Sequence, residues 1–97
     1  MYVVQYETVA ASQTDQALGG TGGSSDFLEG LLCIVSTAAT SQVQIKDGAG
    51  SAITVLPNAV GPGIGSYYVP INAASTNGAW KVTTAAGVSV LATGRFL

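Results

Sequence analysis

The side chains that could do chemistry are few and scattered. The 97-residue sequence has five acidic residues, three basic residues and no histidine. The absence of histidine excludes a histidine-based triad, a histidine metal site and histidine acid–base catalysis. Asp26 and Glu29 are the closest acidic pair, but positions three apart in a strand lie on opposite faces, so a glycosidase-type pair is not predicted. No motif predicts an enzyme.

Two glycine-rich stretches could be mistaken for nucleotide-binding loops. Residues 19–25 lack the Gly-Lys-Ser/Thr sequence that opens the helix of a phosphate-binding loop. The alternating glycines near the end of residues 57–65 are followed by a strand-like pattern at residues 67–71, whereas a dinucleotide fingerprint needs a helix there. We therefore predict no cofactor.

Two further side chains have a structural and a chemical interpretation. Cys33 is the only cysteine and lies in the apolar run 31–35, so we predict a buried small hydrophobe. A single cysteine is compatible with a reducing compartment. Trp80 is followed by β-branched residues and is predicted to anchor the core. The alternative is an exposed tryptophan that stacks on a sugar.

The low charge of the chain limits its partners. Charged residues are 8% of the sequence, against about 25% in ordinary soluble domains. Such a surface is either built from uncharged polar residues or buried in a larger assembly, and we favour assembly. Three scattered basic residues argue against nucleic acid. No apolar run approaches the roughly 18–20 residues of a membrane-spanning helix, and we expect neither a membrane partner nor a signal peptide.

Residues 43–56 predict a β-hairpin, because two runs of alternating residues flank a glycine-rich centre. Pairing Ile45 with Ile53 and Val43 with Val55 would place four branched side chains on one core face. Gly48, Ala49 and Gly50 would form the loop, with Gly50 supplying a positive φ.

The rest of the chain predicts further short strands. Residues 2–11 predict a first strand or an N-terminal arm, and residues 12–18 one helical turn. Residues 26–36 fit one face of a helix at Leu28, Leu31, Leu32 and Val35, but we favour a strand that is buried on both faces in its second half. Pro70 predicts an edge or a bend in the next strand.

The final segment predicts a second hairpin. Val82 would lie opposite Val88 and Trp80 opposite Val90, with a loop over residues 83–87. Phe96 would close the core.

Seven or eight short strands separated by glycine, proline and asparagine loops predict an all-β fold. We expect a small antiparallel β-sandwich, jelly-roll-like, with a small barrel as the alternative. Residues 1–97 would form a single domain, in which residues 1–18 could be an N-terminal arm.

Residues 43–53, 78–84 and 87–90, preceded by the segment 26–35, resemble small proteins of tailed-bacteriophage virions. The resemblance implies a head decoration (cement) protein on the capsid exterior, made in the host cytoplasm. Its partners would be the major capsid protein and itself, as a homotrimer. It implies no catalytic residue and no cofactor. The alternative is a tail, fibre or carbohydrate-binding module of the virion, with Trp80, Tyr67 or Tyr68 exposed.

Candidate contact residues lie in three parts of the chain: the first strand or arm, the hairpin tip and the last strand. They are Tyr2, Val4, Tyr6, Lys46, Asp47 and Arg95. Lys46 and Asp47 are predicted to form a local salt bridge or turn bond. Arg95 is a candidate for an ion pair across a subunit boundary.

Overall fold

A computed structural model describes residues 4–19, 25–36, 42–57 and 64–96 of the chain. These residues form eight β-strands and no helix. The strands are β1 Gln5–Val9, β2 Gln16–Ala17, β3 Phe27–Val35, β4 Val43–Asp47, β5 Ile53–Leu56, β6 Gly65–Ala74, β7 Trp80–Thr83 and β8 Val88–Arg95.

The strands form two four-stranded antiparallel sheets packed against each other. The first sheet has the order β1-β8-β3-β6 and the second has the order β2-β7-β4-β5. The first strand pairs with the last, the second with the seventh, the third with the sixth and the fourth with the fifth. Such pairing describes one antiparallel ribbon rolled into two layers, which is the jelly-roll arrangement. The predicted sandwich is confirmed.

The core lies between the sheets, and the strands point alternate residues into it. In β8 every second residue from Val88 to Gly94 is buried, as expected for a strand with one covered face. Trp80 is 4% exposed, and its Nε1–H donates to the carbonyl of Asp26 over 2.9 Å. Phe96 is also buried. Both residues are therefore core residues, as predicted.

The predicted hairpin of residues 80–92 is wrong. Trp80 and Val82 lie in β7 of the second sheet, whereas Val88 and Val90 lie in β8 of the first. Residues 84–87 cross between the sheets, and Thr84 is held there by its Oγ1–H bond of 2.6 Å to the Ala10 carbonyl. The apolar residues still meet in one core, because they point toward each other from facing sheets.

The predicted hairpin of residues 43–56 forms, with a different register at one end. Ile45 pairs with Ile53 as expected, but Val43 pairs with Leu56 because β5 contains a bulge there. Leu56 is consequently buried and Ile53 is 51% exposed, so the four predicted side chains do not share one buried face. The positive φ of the loop belongs to Gly48, at +57°, and not to Gly50.

Of four other expectations, two are wrong and two are confirmed. Residues 12–18 form turns and β2 instead of a helical turn. The second half of β3 is not buried on both faces, since Ile34 is 40% exposed. Cys33 is buried as predicted, and burial raises the pKa of its thiol to about 11. Pro70 lies in β6, an edge strand of the first sheet, as proline's missing N–H favours.

Candidate interaction surface

The outer side of the first sheet carries apolar residues among serines and threonines, with Ile34 between Ser66 and Ser89 in the register. Burial alternates along β1, β3, β6 and β8, so the residues between the core positions point away from the second sheet. The exposed and half-buried apolar residues of this side are Val4, Tyr6, Leu32, Ile34, Tyr68 and Leu91. We call this set the apolar face.

Strand register brings these residues together from distant parts of the chain. One row across the sheet consists of Thr8, Leu91, Leu32 and Tyr68. The next row consists of Tyr6, Thr93, Gly30 and Pro70. Tyr6 is 73% exposed and Tyr68 is 54% exposed, at the two edge strands. The result is a continuous surface of aromatic, aliphatic and hydroxyl groups.

Gly30 allows the ring of Tyr68 to lie against the sheet. A Cβ placed on Gly30 would come within 2.2 Å of the Tyr68 hydroxyl oxygen and 2.5 Å of its ring carbon Cζ. The ring therefore occupies the space above Gly30, in the row that also contains Tyr6. This packing flattens the apolar face at its centre.

The outer side of the second sheet has a different chemistry. Its outward residues on β4, β5 and β7 include Gln44, Lys46, Thr54, Lys81 and Thr83, which we call the polar face. Both lysines of the sequence lie on it, directly opposite each other in the register of β4 and β7.

Lys46 is partly neutralised by an acid from the turn before β2. Its Nζ lies 3.1 Å from Oδ2 of Asp15. The hydrogen bond from Lys46, with a second from the hydroxyl of Thr83, holds the pKa of Asp15 below its ordinary value. The pair is partly exposed, so its contribution to stability is small.

Charge near the apolar face is confined to one end of the sheet. Arg95 ends β8, and its register partner in β3 is Phe27. Glu29 lies close by, in the β3 bulge between Leu28 and Gly30. Among the described residues, the rows from Tyr6 to Pro70 and from Thr8 to Tyr68 contain no charged side chain.

The predicted contact residues do not converge on one site. Val4 and Tyr6 lie on the apolar face, Lys46 lies on the polar face, and Arg95 lies at the end of β8. Tyr2 is outside the described residues. Sequence reasoning did not select Ile34, Leu91 or Tyr68 as contact residues, although Tyr68 was named for the carbohydrate-binding alternative.

Asp47 has a structural role at the end of β4. Its Oδ1 accepts the backbone N–H groups of Thr76 and Asn77 over 2.9 and 3.0 Å, and its Oδ2 accepts the Thr76 hydroxyl over 2.8 Å. The predicted salt bridge between Lys46 and Asp47 is wrong, since Lys46 pairs with Asp15 and the Asp47 carboxylate binds the loop before β7. The alternative, a turn bond, is present in the backbone, where the Asp47 carbonyl accepts the N–H of Gly50 over 2.8 Å. The Asn77 N–H is the main cause that lowers the pKa of Asp47.

The lowered pKa of Asp47 predicts a pH-dependent stability. A carboxyl with a folded-state pKa below its unfolded value of 3.8 stabilises the fold above that value. This contribution is lost as pH falls through the lowered pKa. We expect Asp47→Asn to be less stable than wild type at pH 6, and the difference to shrink at about pH 2.5. Urea unfolding midpoints at both pH values measure this, and an unchanged difference would contradict it.

No group of three or more potential metal ligands occurs among the described residues. Within the described segments there is also no helix with the length and hydrophobicity needed to cross a bilayer. Because Trp80 is buried and its Nε1–H is bonded internally, it cannot stack on a sugar.

Comparison with protein-family models, with curated protein sequences and with solved structures found no match.

Proposed function

We propose that this protein is a non-enzymatic structural component of a bacteriophage head, a decoration or cement protein that binds the assembled capsid. It would contact the major capsid protein and further copies of itself, as a homotrimer on the capsid exterior. Such a protein stabilises the assembled shell by mass action, because it binds the shell and not its separate subunits.

The observation that carries this proposal is the contrast between the two outer faces. The charged residues near the apolar face lie at one end of the first sheet. The polar face carries both lysines and the ion pair between Lys46 and Asp15. A sandwich with one apolar and one polar outer face is suited to contact on one side and solvent on the other. The low overall charge suits a protein whose surface is buried against neighbouring molecules in an assembly.

The location in the particle can be tested by quantitative mass spectrometry of purified virions that contain this protein. A head decoration protein should occur in a fixed, high ratio to the major capsid protein. Removing the protein should lower the temperature at which the shell opens, and adding it back should restore that temperature. Absence from the particle, or a copy number typical of a tail component, would contradict the proposal.

The exposed tyrosines favour a second candidate, the carbohydrate-binding module. Tyr6 and Tyr68 expose aromatic surface beside the hydroxyls of Thr8 and Thr93, a combination that can stack on sugar rings. A glycan array with Tyr68→Ala as the comparison distinguishes the two functions. Glycan binding that is lost in this folded variant would favour the second candidate over the first.

A further inference from the structure

We propose that the apolar face is a self-association surface and is covered in solution by a second copy of this chain. Two like faces that meet close as a dimer, so this contact in solution is separate from the contacts that would build the homotrimer on the capsid. The inference rests on the proposed function only for the expectation that the chain contacts copies of itself. Its evidence is the size, the chemistry and the charge of the face.

The face is large enough for a specific contact between two copies. The four strands of the first sheet average eight residues in length. Strands about 4.8 Å apart, with about 3.3 Å per residue, give the whole outer side of this sheet, including its serine and threonine positions, a footprint of about 500 Å². Two such faces together bury about 1,000 Å², which reaches the lower limit for a specific interface.

The charge distribution favours a second copy as the occupant. When two apolar faces meet, no like charges oppose each other in the rows that contain Tyr6 and Tyr68. Two polar faces would instead bring Lys46 and Lys81 of both copies together. The net charge of −2 also gives only weak repulsion between whole molecules.

The outer side chains suit close packing of sheet against sheet. Leu32 and Leu91 are half-buried neighbours at the centre, and Ile34 projects beside them. The ring of Tyr68 lies over Gly30 and does not stand away from the sheet. A low, apolar surface of this kind can approach a second sheet at the usual separation of about 10 Å.

Sedimentation velocity of the purified full-length protein tests the inference. The test variants are Tyr6→Lys and Ile34→Lys, which add a charge to the apolar face at positions that are already exposed. The matched control is Thr54→Lys, which adds the same charge at an exposed position on the polar face. Far-UV circular dichroism establishes that each variant is folded.

We expect wild type and Thr54→Lys to sediment as the same oligomer. Each apolar-face variant should dissociate at protein concentrations at least tenfold higher than those at which wild type dissociates. The reason is that an unpaired charge would be buried in the contact. Raising the salt concentration should leave the wild-type oligomer intact, because the face is largely uncharged.

A monomeric wild type at high concentration would overturn the inference. So would an oligomer that survives in both folded apolar-face variants, since the contact would then lie elsewhere. Neither result depends on virions, so a failure here is separate from a failure of the proposed head location, which particle composition tests.

Discussion

Trp80→Ala is expected to lower the free energy of unfolding by about 3–5 kcal/mol. The indole is 4% exposed and packs in the core between the sheets, so its removal leaves a cavity that the surrounding strands can fill only in part. The total stability of a domain of this size is about 5–15 kcal/mol. Urea unfolding followed by far-UV circular dichroism measures the loss without relying on tryptophan fluorescence.

Trp80→Phe is the matched control for this prediction. It keeps most of the ring volume and removes the Nε1–H that donates to the Asp26 carbonyl. That carbonyl also accepts the backbone N–H of Ser75 over 2.8 Å, so it keeps one partner. We expect a loss of about 1–2 kcal/mol. If Trp80→Ala costs no more than Trp80→Phe, packing of the indole is not what anchors this end of the sandwich.

Gly48→Ala is expected to lower the free energy of unfolding by about 3 kcal/mol. Gly48 has a φ of +57°, which an L-residue adopts with strain. A Cβ at this position would also lie 2.1 Å from the backbone oxygen of Asn77. The backbone is held there by the Gly48 N–H bond to the Ala79 carbonyl over 3.0 Å, so the clash cannot be relieved by rotating a side chain.

Gly50→Ala separates this effect from a general effect of glycine substitution in the same loop. Gly50 lacks a positive φ, and a Cβ there would meet the Asp47 carbonyl oxygen at 3.0 Å. We expect a change of no more than about 1 kcal/mol. Equal losses for the two variants, measured by urea unfolding, would show that the close approach of the Asn77 backbone does not constrain Gly48.

Local patterns were sufficient to predict some elements. The pairing of Ile45 with Ile53 follows from alternation on both sides of a glycine-rich loop. The edge position of β6 follows from Pro70. These inferences succeed because each depends on neighbouring residues and on a hydrogen-bonding rule that holds wherever the strand lies in the sheet.

Local patterns do not identify the strand with which another strand pairs. An inward-facing Trp80 and Val82 satisfy the alternation whether β7 pairs with β8 or packs across from it. Alternation predicts which residues face the core, and the same residues face the core in both arrangements. The rolled ribbon instead pairs β7 with β2 and β4, and no local signal marks these distant partners.

The apolar face was misread for a related reason. The run from Leu31 to Val35 predicted burial on both sides of a strand, because apolar outward residues look like core residues. In the structure Leu31, Cys33 and Val35 face the core, whereas Ile34 is an outward residue on the apolar face. Only the strand order shows that Leu91 and Tyr68 belong to the same surface.

The pairing of β1 with β8 has a consequence for synthesis of the chain. Tyr6 is aligned with Thr93, so the edge of the first sheet joins residues from opposite ends of the sequence. Strand β3 likewise has β8 as one of its two neighbours. During translation at roughly 5–20 residues per second, both strands wait several seconds for their partner to emerge from the ribosome. Until then their hydrogen-bonding edges and apolar side chains remain open to other nascent chains.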